Sequence, residues 1–518
     1  MTTFRPLSSF EKKLLTQSLN DQRNGTIFSS TYSKSSSKEA DADWHSDEVT
    51  LGTNSSKDDS RLTLPLIATT LKKLIKSQPA LFATVNEDWE YAPLKQLKTS
   101  DIVNVIEFET TKDKEVNCHW GVPPPYLLRH AFNKTRFVPG SNKPLWTLYV
   151  IDETLLVFHG HDVLFDIFSA ANFHKLFLKE LNSITSVSRS DDRVLFDIND
   201  VNFAELSFPK SIYDSAKLRL PAMTPQILHK QTQSFFKSIF YNTLKRPFGY
   251  LTNQTSFSSP APTSQLKRYN DILNTNSSLC GTTVFGIVNN QRFSYLKSIV
   301  NQEHICLRSF ICGIAMICLK PLVKDFSGTI VFSIPIDLRK HLNLGESLGL
   351  FFKELRIECP LSLIDDELSI NEFLVNSNDN ENNDNDEFNE KLMEYQFNKV
   401  TKHVSNYIMT KLKSWERNGF NDDDIRRMKY DNDDDFHVQN SKTKLIQIND
   451  VSDISLSMSN DDKSFKIVSS GFTNSINRPT LMSLSYTYCE DMGLNICIHY
   501  PDSYNLESFV ECFESFIE

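Results

Sequence analysis

Apolar residues recur along this chain in two rhythms. Across residues 145–151 they run almost unbroken, Asp152-Glu153 interrupts them, and residues 154–158 resume the run before His159-Gly160-His161-Asp162. Two short apolar runs around a polar pair predict two strands joined by a tight turn. From Asp166 the rhythm changes, and Ile167, Ala170, Phe173, Phe177 and Leu181 fall three and four apart, as in a helix with one buried face. A strand that ends in imidazoles and carboxylates and leads straight into a helix holds titratable groups at a fixed sheet edge.

The same two rhythms divide the rest of the chain. Helical spacing predicts a first helix within residues 5–20, a second through Leu66, Leu71, Leu74 and Ile75 that ends at Gln78-Pro79, and others at 226–242, 290–301, 305–319 and 388–415. A last amphipathic helix passes through Leu506, Phe509, Val510, Phe513 and Ile517. Strand patterns occupy residues 80–85, 102–108, 282–288, 328–335, 445–448, 465–468, 481–488 and 494–499. Residues 29–60, rich in Ser, Lys and Asp, predict a disordered loop. The Asn/Asp/Glu blocks at 376–390 and 421–435 predict disordered acidic insertions, and Ser469-Ser470-Gly471 predicts a turn. Pro, Ser and Asn collect between about 205 and 280. The boundary therefore falls there, giving lobes at 1–215 and 216–518.

At 518 residues the chain exceeds one ordinary core, which agrees with two large α/β units. The net charge of −10 comes largely from the two acidic blocks, and no basic stripe is present to neutralise phosphates, so nucleic acid is excluded as a partner. Nine cysteines lack paired spacing, and residues 1–10 lack a charged start followed by an apolar middle. An intracellular, reducing location is expected. The most apolar stretch, 305–319, carries Arg308 and is too short to span a bilayer, so a buried helix is expected. The first helix mixes Glu11 with Lys12 and Lys13, which favours packing on the protein; peripheral membrane contact is the alternative.

Gly160-His161-Asp162-Val163-Leu164-Phe165-Asp166 resembles the His-His-x-x-x-Asp signature of CoA-dependent acyltransferases, in particular the fungal-type alcohol O-acetyltransferase family. With Asp166 as the motif aspartate, His161 takes the place of the first histidine and Asp162 that of the second, catalytic one. Ile167 stands where a glycine usually follows the aspartate, a departure that would narrow the passage. The resemblance implies two chloramphenicol-acetyltransferase-like mixed-sheet α/β lobes with a tunnel between them. It also implies acetyl-CoA as acyl donor, a small or hydrophobic alcohol as acceptor, and cytoplasmic placement, with the periphery of the endoplasmic reticulum or lipid droplets as the variant. N-acetylation of a hydrophobic, sphingoid-like amine is a close alternative.

Direct transfer from a thioester to a hydroxyl needs a base for the proton and a donor for the oxyanion. A histidine, with a reference pKa of about 6.5, suits the first task better than an aspartate at about 3.9. Three readings of the site stand open: His161 acts from a shifted position, Asp162 is a base tuned by burial, or the protein binds without catalysing. Enzymatic activity is therefore undecided at this stage. Adjacent strand residues point to opposite faces, so His161 needs a bulge or turn to reach the motif position. His159 is expected to be a core or edge residue. No third ligand accompanies His159 and His161 at usable spacing, so no metal is expected. The resemblance further assigns Arg339, in Ile334-Pro335-Ile336-Asp337-Leu338-Arg339, as the partner of Asp166, against the alternative of Asp166 capping its own helix. Ser470 and Thr473 are its oxyanion candidates, by position in the second half.

Overall fold

A computed structural model describes residues 4–20, 24–34, 61–106, 121–123, 127–128, 130–187, 193–200, 208, 267–269, 281–302, 304–323, 329–365, 385–418, 443–456, 464–475, 480–502, 504 and 506–517. Two mixed sheets organise them. The first has five strands in the order Phe465–Asn474, Thr26–Lys34, Leu155–Gly160, Trp146–Ile151 and Val103–Ile106. The second has seven, in the order Lys267–Tyr269, Gly281–Val288, Gly493–Pro501, Thr480–Cys489, Thr443–Asp450, Thr329–Asp337 and Phe352–Pro360.

Alternation decides what each face of the first sheet meets. Leu156 and Phe158 pack on the helix Ile167–Asn182, where the Phe158 and Phe173 ring centroids stack at 4.4 Å. Leu155 and Val157 point the other way, into a cluster that joins Ile27, Tyr149 and Ile151 to Phe285 and Cys497 of the second sheet. This second cluster is the seam between the lobes. Phe132, in the short π-helical turn His130–Lys134, fills part of it. The hairpin reverses at Asp152 and Glu153, both with positive φ (48° and 53°), and the Thr154 N–H donates to the Ile151 carbonyl at 3.1 Å, closing a turn of the I′ kind.

The second sheet is equally two-sided. Leu484, Tyr486, Ile496 and Ile498 face the helices Leu307–Leu319, Asn385–Asn418 and Glu507–Ile517. Their strand neighbours are polar and turn toward the first lobe, where Asn474 accepts from Asn449 (3.3 Å) and Ser483 (2.9 Å) and donates to Gln447 (3.0 Å). A buried amide and hydroxyl layer therefore lies between the lobes, in which Asn449, Asn474, Gln447 and Ser483 bond to one another.

Three expectations are corrected. Residues 29–34 belong to a strand rather than a loop: Ser29 Oγ donates to the carbonyls of Gly471 (3.0 Å) and Gly121, so a serine reads as solvent-facing yet lies buried in a sheet. Ser469-Ser470-Gly471 is the interior of the strand Phe465–Asn474, which crosses from the C-terminal part of the chain to form an edge of the first sheet. Its register shifts between Ile467 and Ser469, which absorbs the irregular polar run. Residues 385–390 open the long helix Asn385–Asn418 rather than closing an acidic insertion. The remainder of the 29–60 and 376–390 segments, the 421–435 block, the helix expected at 226–242 and the boundary at 215 lie outside the described residues. No single helix among the described residues is long and apolar enough to cross a membrane.

Close backbone approach at the seam makes one glycine indispensable. A Cβ on Gly25, whose φ is +85°, would stand 2.3 Å from the Gly160 carbonyl oxygen. Gly345 has a φ of +59° with nothing within 4 Å of such a Cβ. Gly25→Ala is expected to destabilise by about 2–5 kcal/mol, combining backbone strain with overpacking. Gly345→Ala should cost only the strain, about 1–2 kcal/mol, and the two urea midpoints compare them.

Candidate active site between the lobes

Asp166 ends the loop after the strand Leu155–Gly160 and opens the helix Ile167–Asn182. Its Oδ1 accepts from the Ser169 backbone N–H at 2.6 Å, a helix N-cap. The same Oδ1 lies 2.9 Å from Arg339 Nη2, and Oδ2 accepts from Phe351 N–H at 2.8 Å. Both arrangements weighed from the sequence thus coexist in one carboxylate. Arg339 also donates to Ser169 Oγ (2.7 Å), Gly349 O (2.9 Å), Ser347 O (2.8 Å) and Asp337 Oδ1 (2.9 Å). The Asp166 and Arg339 side chains are each 1% exposed, so the charges are fully desolvated yet matched by donors and acceptors. Asp166 and Asp337 push the Arg339 proton affinity up against the opposing effect of burial.

The histidines divide differently. His161 Nδ1 accepts the Val163 N–H at 2.9 Å, so Nε2 carries the ring proton and donates to Ser18 Oγ at 2.8 Å. Both nitrogens are engaged, and the ring leans on Phe137 at 5.8 Å. Asp162 is buried beside the strand Thr26–Lys34, with Oδ1 3.5 Å from Thr26 Oγ1. His159 lies within the strand and shares the parity of Leu155 and Val157, so its ring faces the seam. Nε2 is 2.7 Å from the Asn24 carbonyl and must be its donor; Nδ1 has no hydrogen-bond partner among the described residues. Burial lowers its pKa to about 4, opposed by the Asn24 hydrogen bond and the Asp162 carboxylate and reinforced by His161 and His130.

Register sorts the oxyanion candidates. His159, Ile27 and Thr473 pair in one row across three strands, which puts the Thr473 and His159 backbones about 10 Å apart on the same face. Thr473 Oγ1 lies 3.3 Å from Nδ1 of His499, which also contacts Thr283 Oγ1 at 3.1 Å. Ser470, an odd number of residues away, pairs in the row of Ser30 and Leu156, and its Oγ meets Thr487 Oγ1 (3.2 Å) and Cys489 Sγ (3.0 Å). The structure therefore separates the two. Sequence reading missed His499, Asn24, Thr26 and Phe132. The His499 imidazole, buried with a pKa lowered to about 4, sits in an alternating Asn495, Cys497, His499 pattern that marks its face. Phe132 lies edge-on between the lobes, 6.1 Å from the His159 ring and 6.2 Å from that of His499. No group of metal-binding side chains occurs among the described residues.

The family model for alcohol acetyltransferase matches residues 54–517. PSTB2-interacting protein 1 from Saccharomyces cerevisiae is 89% identical over 518 residues, covering 100% of both chains. Among solved structures, the trichothecene 15-O-acetyltransferase TRI3 from Fusarium sporotrichioides matches with a TM-score of 0.57 at 11% identity, covering 99% of this chain and 95% of that one. A starter condensation domain of rhizomide synthetase in complex with C8-CoA matches with a TM-score of 0.52 at 11% identity, over 99% and 93%. These structural likenesses establish a shared two-lobed α/β fold.

Two expected outcomes follow from the buried charges and rings. Arg339→Met strands the Asp166 carboxylate and should cost about 3–5 kcal/mol in urea unfolding, with part recovered in Asp166→Asn/Arg339→Met. His159, His499 and His174 have lowered pKa values, about 4, about 4 and about 3. The unfolded chain takes up these protons near pH 6.5 and the folded one does not. Stability is therefore full above about pH 6.5 and falls as pH drops toward 4, by up to about 1.4 kcal/mol per pH unit for each ring. Unfolding midpoints measured from pH 7 to pH 4 check the slope.

Proposed function

The chain belongs to the alcohol acetyltransferase family, and from that premise we propose that it moves an acetyl group from acetyl-CoA to the hydroxyl of a small or hydrophobic alcohol in one direct step. The observation that carries the reading is the seam itself. A buried imidazole on the first sheet and the hydroxyls of Thr283, Ser483 and Ser485 on the second lie on the faces the two sheets turn toward each other, and the buried Asp166–Arg339 pair links the two lobes. Direct transfer asks for this arrangement, with a proton acceptor and hydrogen-bond donors in a site removed from water. A thioester donor is in keeping with the rhizomide synthetase neighbour, which holds C8-CoA. A hydrophobic amine would use the same groups and give an amide.

A second reading rests on its own observation. Asp162 stands where the motif places its catalytic histidine, and His161 has both ring nitrogens engaged. On this reading the lobes serve binding, and the name of the yeast relative supplies a partner, the counterpart of PSTB2.

Incubation of the full chain with acetyl-CoA and isoamyl alcohol, followed by gas chromatography, is expected to yield the acetate ester above the uncatalysed rate. If a panel of alcohols and long-chain amines gives no ester or amide, and calorimetry shows the PSTB2 counterpart binding, the second reading replaces the first.

A further inference from the structure

Packing alone does not explain His159. A histidine buried for shape alone would have both nitrogens satisfied, as His174 does: its Nε2 meets the Phe28 carbonyl at 3.0 Å and its Nδ1 meets the Tyr32 hydroxyl at 3.0 Å. Leaving Nδ1 of His159 bare costs about 1–3 kcal/mol. The Asn24 carbonyl fixes the tautomer, because an oxygen 2.7 Å from Nε2 demands a proton there and leaves the lone pair on Nδ1. The ring is held on a rigid strand rather than on the following loop, and it faces the opposite lobe.

Resting on the acyl-transfer reading above, we propose that His159 Nδ1 is the atom that takes the acceptor's proton, and that Asp162, in the motif's histidine position, stabilises the imidazolium that forms. The alcohol oxygen attacks the thioester carbonyl carbon as its proton passes to Nδ1. The carbon–sulfur bond of the tetrahedral intermediate then breaks, and the departing thiolate takes the proton back from Nδ1. Ester and free CoA leave, and the ring returns to its neutral form. The titratable groups around this ring are Asp162, which favours its protonated form, and His161 and His130, which oppose it. Its other neighbours, Asn24, Phe132 and Phe137, are neutral, and His499 lies beyond Phe132.

The test compares the full-length wild type with His159→Gln, His161→Gln and Asp162→Asn, following CoA release with acetyl-CoA and isoamyl alcohol. Gln at 159 keeps a donor for the Asn24 carbonyl and removes the basic nitrogen. His159→Gln is expected to lower kcat by at least about 100-fold, the scale of general-base catalysis, with the KM for acetyl-CoA changed by less than about threefold and the far-ultraviolet circular dichroism unchanged. In the wild type, the acid limb of the rate profile should lie well below the ordinary imidazole range, and Asp162→Asn should move it to still lower pH. A purely structural role for either residue would not move that limb. Retention of wild-type kcat by His159→Gln, or a loss confined to His161→Gln, overturns the proposal while leaving the transferase reading intact. A wild type that transfers acetyl to no acceptor overturns that reading, and this proposal falls with it.

Discussion

A buried carboxylate–guanidinium contact fixes how the two sheets meet. Asp166 closes the N-terminal end of a helix in the first lobe, and Arg339 follows a strand of the second. Between them, Ser169 and the 347–351 backbone supply the remaining donors and acceptors. Bringing two ions out of water is costly, so such a pair persists only where the surrounding dipoles are already in place. Here they are drawn from both lobes, and satisfying the charges requires the lobes to meet in one orientation. The position of His159 relative to Thr473 and His499 is a consequence of that constraint.

The seam repeats the logic in a softer form. Apolar side chains near Val157 and Phe285 supply burial, which has no direction, while Asn449, Asn474, Gln447 and Ser483 supply hydrogen bonds, which have one. A slip of one residue along the strand Phe465–Asn474 would turn Asn474 away from its three partners.

Much of this was legible in the residues. The hairpin at 146–160, the helix from Ile167, five strands of the second sheet and the pairing of Asp166 with Arg339 follow from apolar spacing or from the motif resemblance, whereas the strands Lys267–Tyr269 and Phe352–Pro360 carry no such signal. What escaped were polar residues inside sheets. Ser29, Ser470 and Thr473 look solvated by composition, and only partners on other strands reveal that they are enclosed. His159 reads from the sequence as a core or edge residue, and it is buried in the strand Leu155–Gly160. Parity along the strand could have put it on the face of Val157, yet nothing local told which face looked toward the other lobe. His161 carried the opposite lesson: a motif letter in the right place can be spent on holding Ser18 and its own loop.

The strand Phe465–Asn474 gives the chain an order of assembly. During synthesis the N-terminal sheet emerges with Thr26–Lys34 as an open margin, and its neighbour is translated more than four hundred residues later. Until then that margin offers unpaired amides and carbonyls to any passing strand. Completion of the first lobe is thus a late, long-range event, slow by the measure of loop closure. A nascent chain released before residue 465 would carry an adhesive edge and would be a natural client for chaperones.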